Sequence, residues 1–418
     1  MIQPAQPRRH IPRCRFCSAD LQTTFVDLGV SPLCQTHIRP SQLNEMEPFY
    51  PLHALVCDQC FLVQLEEFVA PTDIFSNYAY FSSFSSSWVE HARVYAEKMI
   101  KRFMLGRNHK VMEIASNDGY LLQHFVDKHI SALGIEPAAN VAEAAVAKGI
   151  PTLVRFFGLE ASRQIAEDFG HPDLLLGNNV LAHVPDLNDF VAGMKFLLAR
   201  HGVITMEFPH LQRLMAENQF DTIYHEHFSY FSFLTVDKVF AHHGLTIFDV
   251  EELRTHGGSL RIFARHKEFD ALPVTERVLH LRQREIEDGF LSLDRYRGFG
   301  ERVQATKRQL LSFLIEAKDK GKRIVGYGAP GKGNTLLNYC GIRTDFLDFT
   351  VDANPHKQGT FTPGTRIPIL APERLREARP DLVLILPWNL KDEIAQTAGY
   401  ISEWGGRFFV PIPEVKLI

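Results

Sequence analysis

A chain of 418 residues has room for two or three domains. Its 45% hydrophobic and 22% charged residues are globular values, and a net charge of -4 without a long basic run excludes an electrostatic nucleic-acid binder. Six cysteines are too few for a disulfide framework, the start MIQPAQPRRHIPRC lacks the apolar core of a signal peptide, and no apolar run is long enough to span a bilayer, so the expected compartment is the cytoplasm with no membrane partner. Nothing in the sequence sets the oligomeric state.

In chain order, Cys14-x-x-Cys17 and Cys57-x-x-Cys60 come first. Each pair can turn two thiolates toward one metal, and two pairs complete a tetrahedron. The reading is a closed structural zinc site; a pair of redox motifs would want a thioredoxin-like context, which is missing. Cys34 and Cys340 read as buried thiols. Phe61 to Leu65 is strand-like. Ser76 to Ser87 is a serine-rich segment with Tyr78 and Tyr80, which suits either a sugar-facing loop or an ordinary turn. Trp88 to Phe103 reads as a helix.

The stretch Lys110 to Leu122, KVMEIASNDGYLL, is a buried strand, a tight turn at Asn117-Asp118-Gly119 and a helix start. Such a junction leaves free backbone N–H groups for an anionic or strongly polar ligand. The next strand, Ala132 to Ile135, ends in Glu136, where a carboxylate can take both hydroxyls of a ribose. A dinucleotide turn wants three glycines, and this one has only Gly119. Glu113, Asn117, Asp118, Gly119 and Glu136 are the candidate residues for a nucleoside cofactor. Alternating strands and helices continue to Glu207 and predict a parallel, doubly wound sheet. Asn178, Asn179, His183 and Glu207 fall at carboxyl ends of its strands, where ligands sit.

Phe220 to Phe228 is the densest ionisable cluster, with Tyr224, His225, Glu226 and His227 set among aromatics. The helix-spaced H-E-x-x-H of zinc proteases is absent. A histidine in an apolar setting beside a carboxylate is a general base near neutral pH. His256-Gly257-Gly258 bends into a strand, Ser259 to Ala264. Leu272 to Lys320 is a helical connector with an apolar stripe at Val303, Leu310, Leu311 and Leu314. The last block opens on Gly326, Gly328 and Gly331, which fit G-x-G-x-x-G, and its second strand ends in Asp352. It reads either as an NAD site or as a Rossmann-like module that holds another diphosphate, with Lys332 as counter-charge.

The order of these motifs resembles one family: four zinc cysteines, E-x-x-x-N-D-G, Y-x-E-H-F, H-G-G, and G-Y-G-A-x-x-K-x-N ending near W-N. It is similar over nearly the whole chain to the nucleotide-sugar C-methyltransferases of deoxysugar biosynthesis. The resemblance implies an α/β fold: a Rossmann-like S-adenosyl-L-methionine (SAM) methyltransferase core between an N-terminal zinc-binding domain and a C-terminal Rossmann-like domain. It implies SAM and a structural Zn2+ as cofactors, and methylation at C-3 of a nucleotide-linked 4-keto sugar. Carried over, His227 is the base, with Glu226 orienting or tuning its ring, and Glu226, Tyr224, Tyr78 and His183 line the sugar site. Asn178 and Asn179 join the cofactor set, and Tyr80, His256, Gly328, Lys332 and Asn334 are expected at the substrate. His225 and Ala115 depart from the pattern. The expected division is 1–75 zinc-binding, 76–268 methyltransferase, 269–320 connector and 321–418 nucleotide-sugar-binding. The competing classes are an NAD-dependent oxidoreductase and a non-catalytic nucleotide-sugar binder.

Overall fold

The computed structural model describes residues 11–75 and 81–418. Its central sheet has seven strands, in the spatial order Leu245–Leu253, Ser259–His266, Val203–Pro209, Leu174–Asn178, Lys110–Ile114, Ser131–Glu136 and Thr152–Val154. The last five are mutually parallel, and Ser259–His266 runs antiparallel to both of its neighbours. The chain steps outward from Lys110–Ile114 and returns to its other side with Leu174–Asn178. That reversal opens a crevice at the carboxyl ends of these two strands. The parallel strands are buried on both faces, which is why Val111 to Ile114 and Leu174 to Leu176 read as unbroken apolar runs apart from Glu113.

The expected helix at Trp88 to Phe103 spans Ser86–Phe103. The Ser85 side chain accepts from the Trp88 N–H at its start, and Met104 ends it in a left-handed conformation. Ala92, Tyr95, Ala96 and Met99 are its buried face, at helical spacing.

The N-terminal sheet is formed by Thr23–Ser31, Tyr50–Val56, Val63–Gln64 and a strand from far along the chain, Ser229–Tyr230. That last strand immediately follows the ionisable cluster. The connector folds as Glu276–Glu287, Asp294–Arg297 and Phe299–Asp319, and Val303, Leu310 and Leu314 are buried as the stripe predicts, with Leu311 at its margin. Phe25 of the N-terminal sheet stacks on Phe299 at 4.6 Å, so connector and N-terminal sheet share one core with the C-terminal sheet. That third sheet has the order Ile369–Leu370, Thr350–Val351, Ile324–Tyr327, Leu382–Ile385, Arg407–Val410 and Lys416–Leu417, all parallel except the last pair. No helix among the described residues is long and apolar enough to cross a membrane.

Candidate active site

The crevice of the central sheet widens into a cavity of about 550 Å3, walled by all three sheets' loops. Its first wall is the turn after Lys110–Ile114. Ala115, Asn117 and Gly119 all have left-handed backbones, with φ of 56°, 49° and 76°. Only glycine adopts this without cost; asparagine tolerates it, and alanine is strained. Ala115 therefore departs from the pattern at a position whose geometry asks for glycine. The turn still forms, and Ala115 and Asn117 line the cavity.

Glu136 also lines it. Its two oxygens accept the Asn117 and Ala138 N–H groups, each at 2.9 Å, and each oxygen keeps a second lone pair for a hydroxyl. Burial pushes its carboxyl up and those two bonds work against this. Glu113 lies beneath, fully buried, with neither oxygen hydrogen-bonded among the described residues, and burial raises its pKa well above the carboxylate range. Asp118 does not reach the cavity lining: its carboxylate meets Lys148 at 3.0 Å. Gly119 is structural, since a Cβ there would strike Ile150.

Asn178 and Asn179 line the opposite lip, with Asn178 Nδ2 and Asn179 Oδ1 buried and without a partner among the described residues. The Asn179 amide donates to His256 Nε2 at 3.0 Å, which brings His256 to the cavity. Glu207 stays outside the lining and supports this lip instead. It takes bonds from His91, Arg261 and Thr255, the residue before His256. Burial pushes its carboxyl up, but His91, Arg261 and Thr255 outweigh that and hold it near 2, at about 2.

The ionisable cluster is pinned at its C-terminal end. Phe228 N–H donates to the Ala182 carbonyl at 2.7 Å, and Leu65 N–H to the Phe228 carbonyl at 3.0 Å. The His227 ring tilts over Tyr224 at 4.0 Å and meets His183 edge-on at 4.7 Å. Its Nδ1–H donates to the Thr222 carbonyl at 2.8 Å, which leaves Nε2 as the basic atom. The orienting contact expected from Glu226 is thus a main-chain carbonyl; Glu226 accepts from the buried Cys34 thiol at 3.1 Å. Burial, with His183 beside it, lowers the His227 pKa well below its usual value, so the ring is neutral and able to accept a proton. Burial likewise lowers His183 and His256, each to about 4. His225, the other departure, points away: its ring donates to the Pro51 carbonyl at 3.0 Å, in the N-terminal sheet. Tyr78 and Tyr80 lie outside the described residues.

The far wall comes from the C-terminal block, whose helix Gly331–Cys340 starts at the cavity. Lys332 donates to Asn389 at 2.7 Å and lies over the Trp388 ring at 4.4 Å. Trp388 in turn donates to Asp221 at 2.7 Å, one residue before Thr222. Burial pulls Lys332 down to about 8 and pushes Asp221 up to about 6, each restrained by the other. Sequence reasoning named neither Asp221 nor Thr222; only contact across the chain distinguishes them. The glycine turn itself is closed. Ala329 N–H donates to Asp352 at 2.7 Å, Gly328 N–H to the Val351 carbonyl, and Pro330 has no N–H, so a dinucleotide diphosphate finds no free donors at these three positions. Gly328 packs on Pro387, and Asn334 is buried behind the lining with its amide nitrogen unpartnered among the described residues.

Beside the cavity, the sulfurs of Cys14, Cys17, Cys57 and Cys60 lie within 4.8 Å of one another. Four thiols at that spacing fit one tetrahedral zinc ion and leave it no open position. Gln64 donates to the Cys14 sulfur at 3.2 Å, a supporting bond of the kind that orients metal ligands. Between them, Arg15 reaches from the first knuckle to the Pro185 carbonyl at 2.8 Å and to Leu65, tying the metal segment to the cavity wall.

Three family models match consecutive parts of the chain: a methyltransferase "zinc binding domain" at residues 14–75, "Methyltransferase domain" at 88–250 and "C-methyltransferase C-terminal domain" at 254–413. The C-methyltransferase NovU of Streptomyces niveus is 36% identical over 98% of this chain and 97% of its own length. Among solved structures, the PH0226 protein from Pyrococcus horikoshii OT3 overlaps 49% of this chain and 100% of its own at 15% identity, with a TM-score of 0.37. Magnesium protoporphyrin IX methyltransferase from Synechocystis PCC 6803 with bound SAH overlaps 42% and 82% at 13% identity, with a TM-score of 0.33.

Proposed function

The chain belongs to the C-methyltransferase family and is a SAM-dependent enzyme with a structural zinc site, and from that premise we propose its substrate and chemistry. The substrate is a nucleoside diphosphate carrying a 4-keto-deoxysugar, and the methyl group goes to C-3. The observation that carries this reading is His227. It is a buried neutral imidazole whose Nδ1–H is committed to Thr222, in a cavity with the SAM turn at one end and a lysine at the other. A carbon beside a ketone is a weak acid, so its methylation needs a base positioned to form the enolate, and the C-methyltransferase family is what directs the methyl group to carbon.

In the proposed reaction His227 Nε2 takes the C-3 proton, and the electrons of the C–H bond pass to the C-4 oxygen. Tyr224, stacked on the base, donates to that oxygen, as does Tyr78 by expectation. His183 takes a different part. Its ring faces the Glu226 main-chain carbonyl while Nδ1 stays unpartnered among the described residues, so Nδ1 is an acceptor suited to a sugar hydroxyl. Bound SAM would supply an electrophilic methyl group, and the residues that would hold it are Asn117 and Glu136 on the first wall and Asn178 and Asn179 on the lip opposite. With C-3 held in line by the cavity walls, positioning supplies much of the rate. Lys332 and the start of helix Gly331–Cys340 are the proposed seat of the diphosphate. The zinc holds Arg15 and the first knuckle against the wall and takes no part in the reaction. The four sequence units 1–75, 76–268, 269–320 and 321–418 are proposed as its domains, with the sugar held where the first, second and fourth meet.

A panel of nucleotide-linked 4-keto sugars, incubated with enzyme in deuterated water with and without SAM, tests this. Enzyme-dependent exchange at C-3 without SAM, and a new methyl carbon with it, are expected by NMR. Methylation at oxygen or nitrogen, or no exchange with any member of the panel, would remove the proposal.

A further inference from the structure

Lys148 ends the helix Ala139–Ala147 and was not among the residues singled out by sequence. Its ammonium group makes three contacts: Asp118 Oδ2 at 3.0 Å, the Asp118 carbonyl at 3.0 Å and Ser83 Oγ at 2.7 Å. All three of its protons are therefore used. One residue to the side, Ser82 N–H donates to Asn117 Oδ1 at 2.8 Å. The segment at Ser82–Ser85 is thus fastened twice to the turn of residues 115–119. Ser82 lines the cavity, and Ser85 caps the helix whose Trp88 lines it too.

The turn needs such a fastening. Two of its three left-handed residues are not glycine, and strained backbones persist only where their surroundings over-determine them. Asp118, expected to meet the cofactor, instead presents its carboxylate to Lys148 on the outer side of the turn. We propose that Lys148 is a positioning residue for SAM: through Asp118 and Ser83 it holds the strained turn and the Ser82–Ser85 wall in the shape the cofactor requires, without touching the cofactor. The inference rests on SAM lying over this turn, as in the proposed function, but not on the identity of the sugar.

Calorimetric titration with S-adenosylhomocysteine, which needs no sugar, tests it on the full-length protein. Lys148→Met is expected to weaken binding about tenfold, the loss of a charge-assisted bond and the restraint it supplies. Lys148→Arg is expected to restore most of the affinity. Ala115→Gly in the Lys148→Met background should also recover it, because glycine removes the strain that Lys148 holds; a residue needed only for folding would show no such rescue. Affinity within about twofold of wild type for Lys148→Met overturns the proposal. If Lys148→Met does not fold, Ser83→Ala, which removes one acceptor, is titrated instead; a loss of about threefold supports the proposal and none overturns it. Glu136→Gln is run alongside. A loss there with none at Lys148 defeats this inference alone, whereas no loss at either also removes SAM from the turn.

Discussion

Two strand–turn–helix units face each other across one cavity. The first leaves Lys110–Ile114 through Ala115, Asn117 and Gly119, and its inner side lines the cavity. The second leaves Ile324–Tyr327 through Gly328, Ala329 and Pro330, and there the acid at the end of the next strand turns back and fills the turn. In the first unit the corresponding acid, Glu136, bonds Asn117 and Ala138 yet stays at the cavity surface. By glycine count the second turn is the better dinucleotide site, yet both turns spend their N–H groups on the next strand. Ala115 and Ser116 donate to the Ile135 carbonyl and Asn117 to Glu136, as Gly328 and Ala329 donate to Val351 and Asp352. What differs is that Ala115, Asn117 and Glu136 line the cavity and Gly328, Ala329 and Asp352 do not. The glycines of a turn report the backbone angles it needs. Whether its N–H groups are free depends on what the next strand brings to them.

The comparison can be broken most directly at His227, the base proposed to stand between the two turns. His227→Asn is expected to lower turnover by about 10²- to 10⁴-fold, the span of general-base catalysis, while leaving S-adenosylhomocysteine affinity unchanged by calorimetry. C-3 exchange at the wild-type rate would remove His227 from that role.

His256, on the lip opposite the first turn, sharpens the comparison through pH. Its folded pKa is about 4 and its unfolded one is about 6.5, so the unfolded chain takes up the proton first. Its contribution is complete above pH 6.5 and is lost as pH falls toward 4. Buried carboxyls such as Asp221, raised to about 6, act in the opposite sense, so a difference between proteins is the clean measure. Relative to wild type, His256→Asn should gain on the order of 1 kcal/mol between pH 7 and pH 5.5 in denaturant unfolding. A constant difference across that range would mean the ring is not buried neutral.

A matched pair of glycine substitutions follows. Gly119 and Gly328 both have left-handed φ, 76° and 85°, and a Cβ would meet Ile150 at the first and Pro387 at the second. Each change to alanine should cost about 1–2 kcal/mol of stability. Only Gly119→Ala should also weaken S-adenosylhomocysteine binding, and neither turn should bind NAD in calorimetry. Measurable NAD binding that Gly328→Ala abolishes would show that the second turn, not the first, holds a nucleotide cofactor. The smallest effect is expected at Ala115→Gly, where a left-handed alanine is relieved: a gain of up to about 1 kcal/mol in thermal or denaturant stability.

Much of the site was legible because its residues are local. The four cysteines, the Asn117 turn, Glu136 and the Tyr224–His227 cluster each occupy a few consecutive positions, and their chemistry follows from their spacing. Asp118 was misplaced because sequence gives a turn's members and not the direction of each side chain; the structure turns it to Lys148. Glu226 was credited with orienting His227 because the two are adjacent, whereas Thr222, five residues earlier, holds the ring. Glu207 lies two residues before the end of its strand, Val203–Pro209, and bonds Thr255 and Arg261 behind the lip.

The sequence alone determined the alternation that makes a doubly wound sheet and the four zinc-spaced cysteines, because periodicity and residue chemistry are properties of neighbours in the chain. Tertiary structure decided what those neighbours meet. It added Ser229–Tyr230 to the N-terminal sheet and so fixed the cluster, joined Asp221 to Trp388 and Lys332, and drew Asp352 back onto Ala329 while leaving Glu136 at the cavity. These are contacts between residues far apart in sequence, and a hydrogen bond or a desolvated charge exists only once both partners have been brought together.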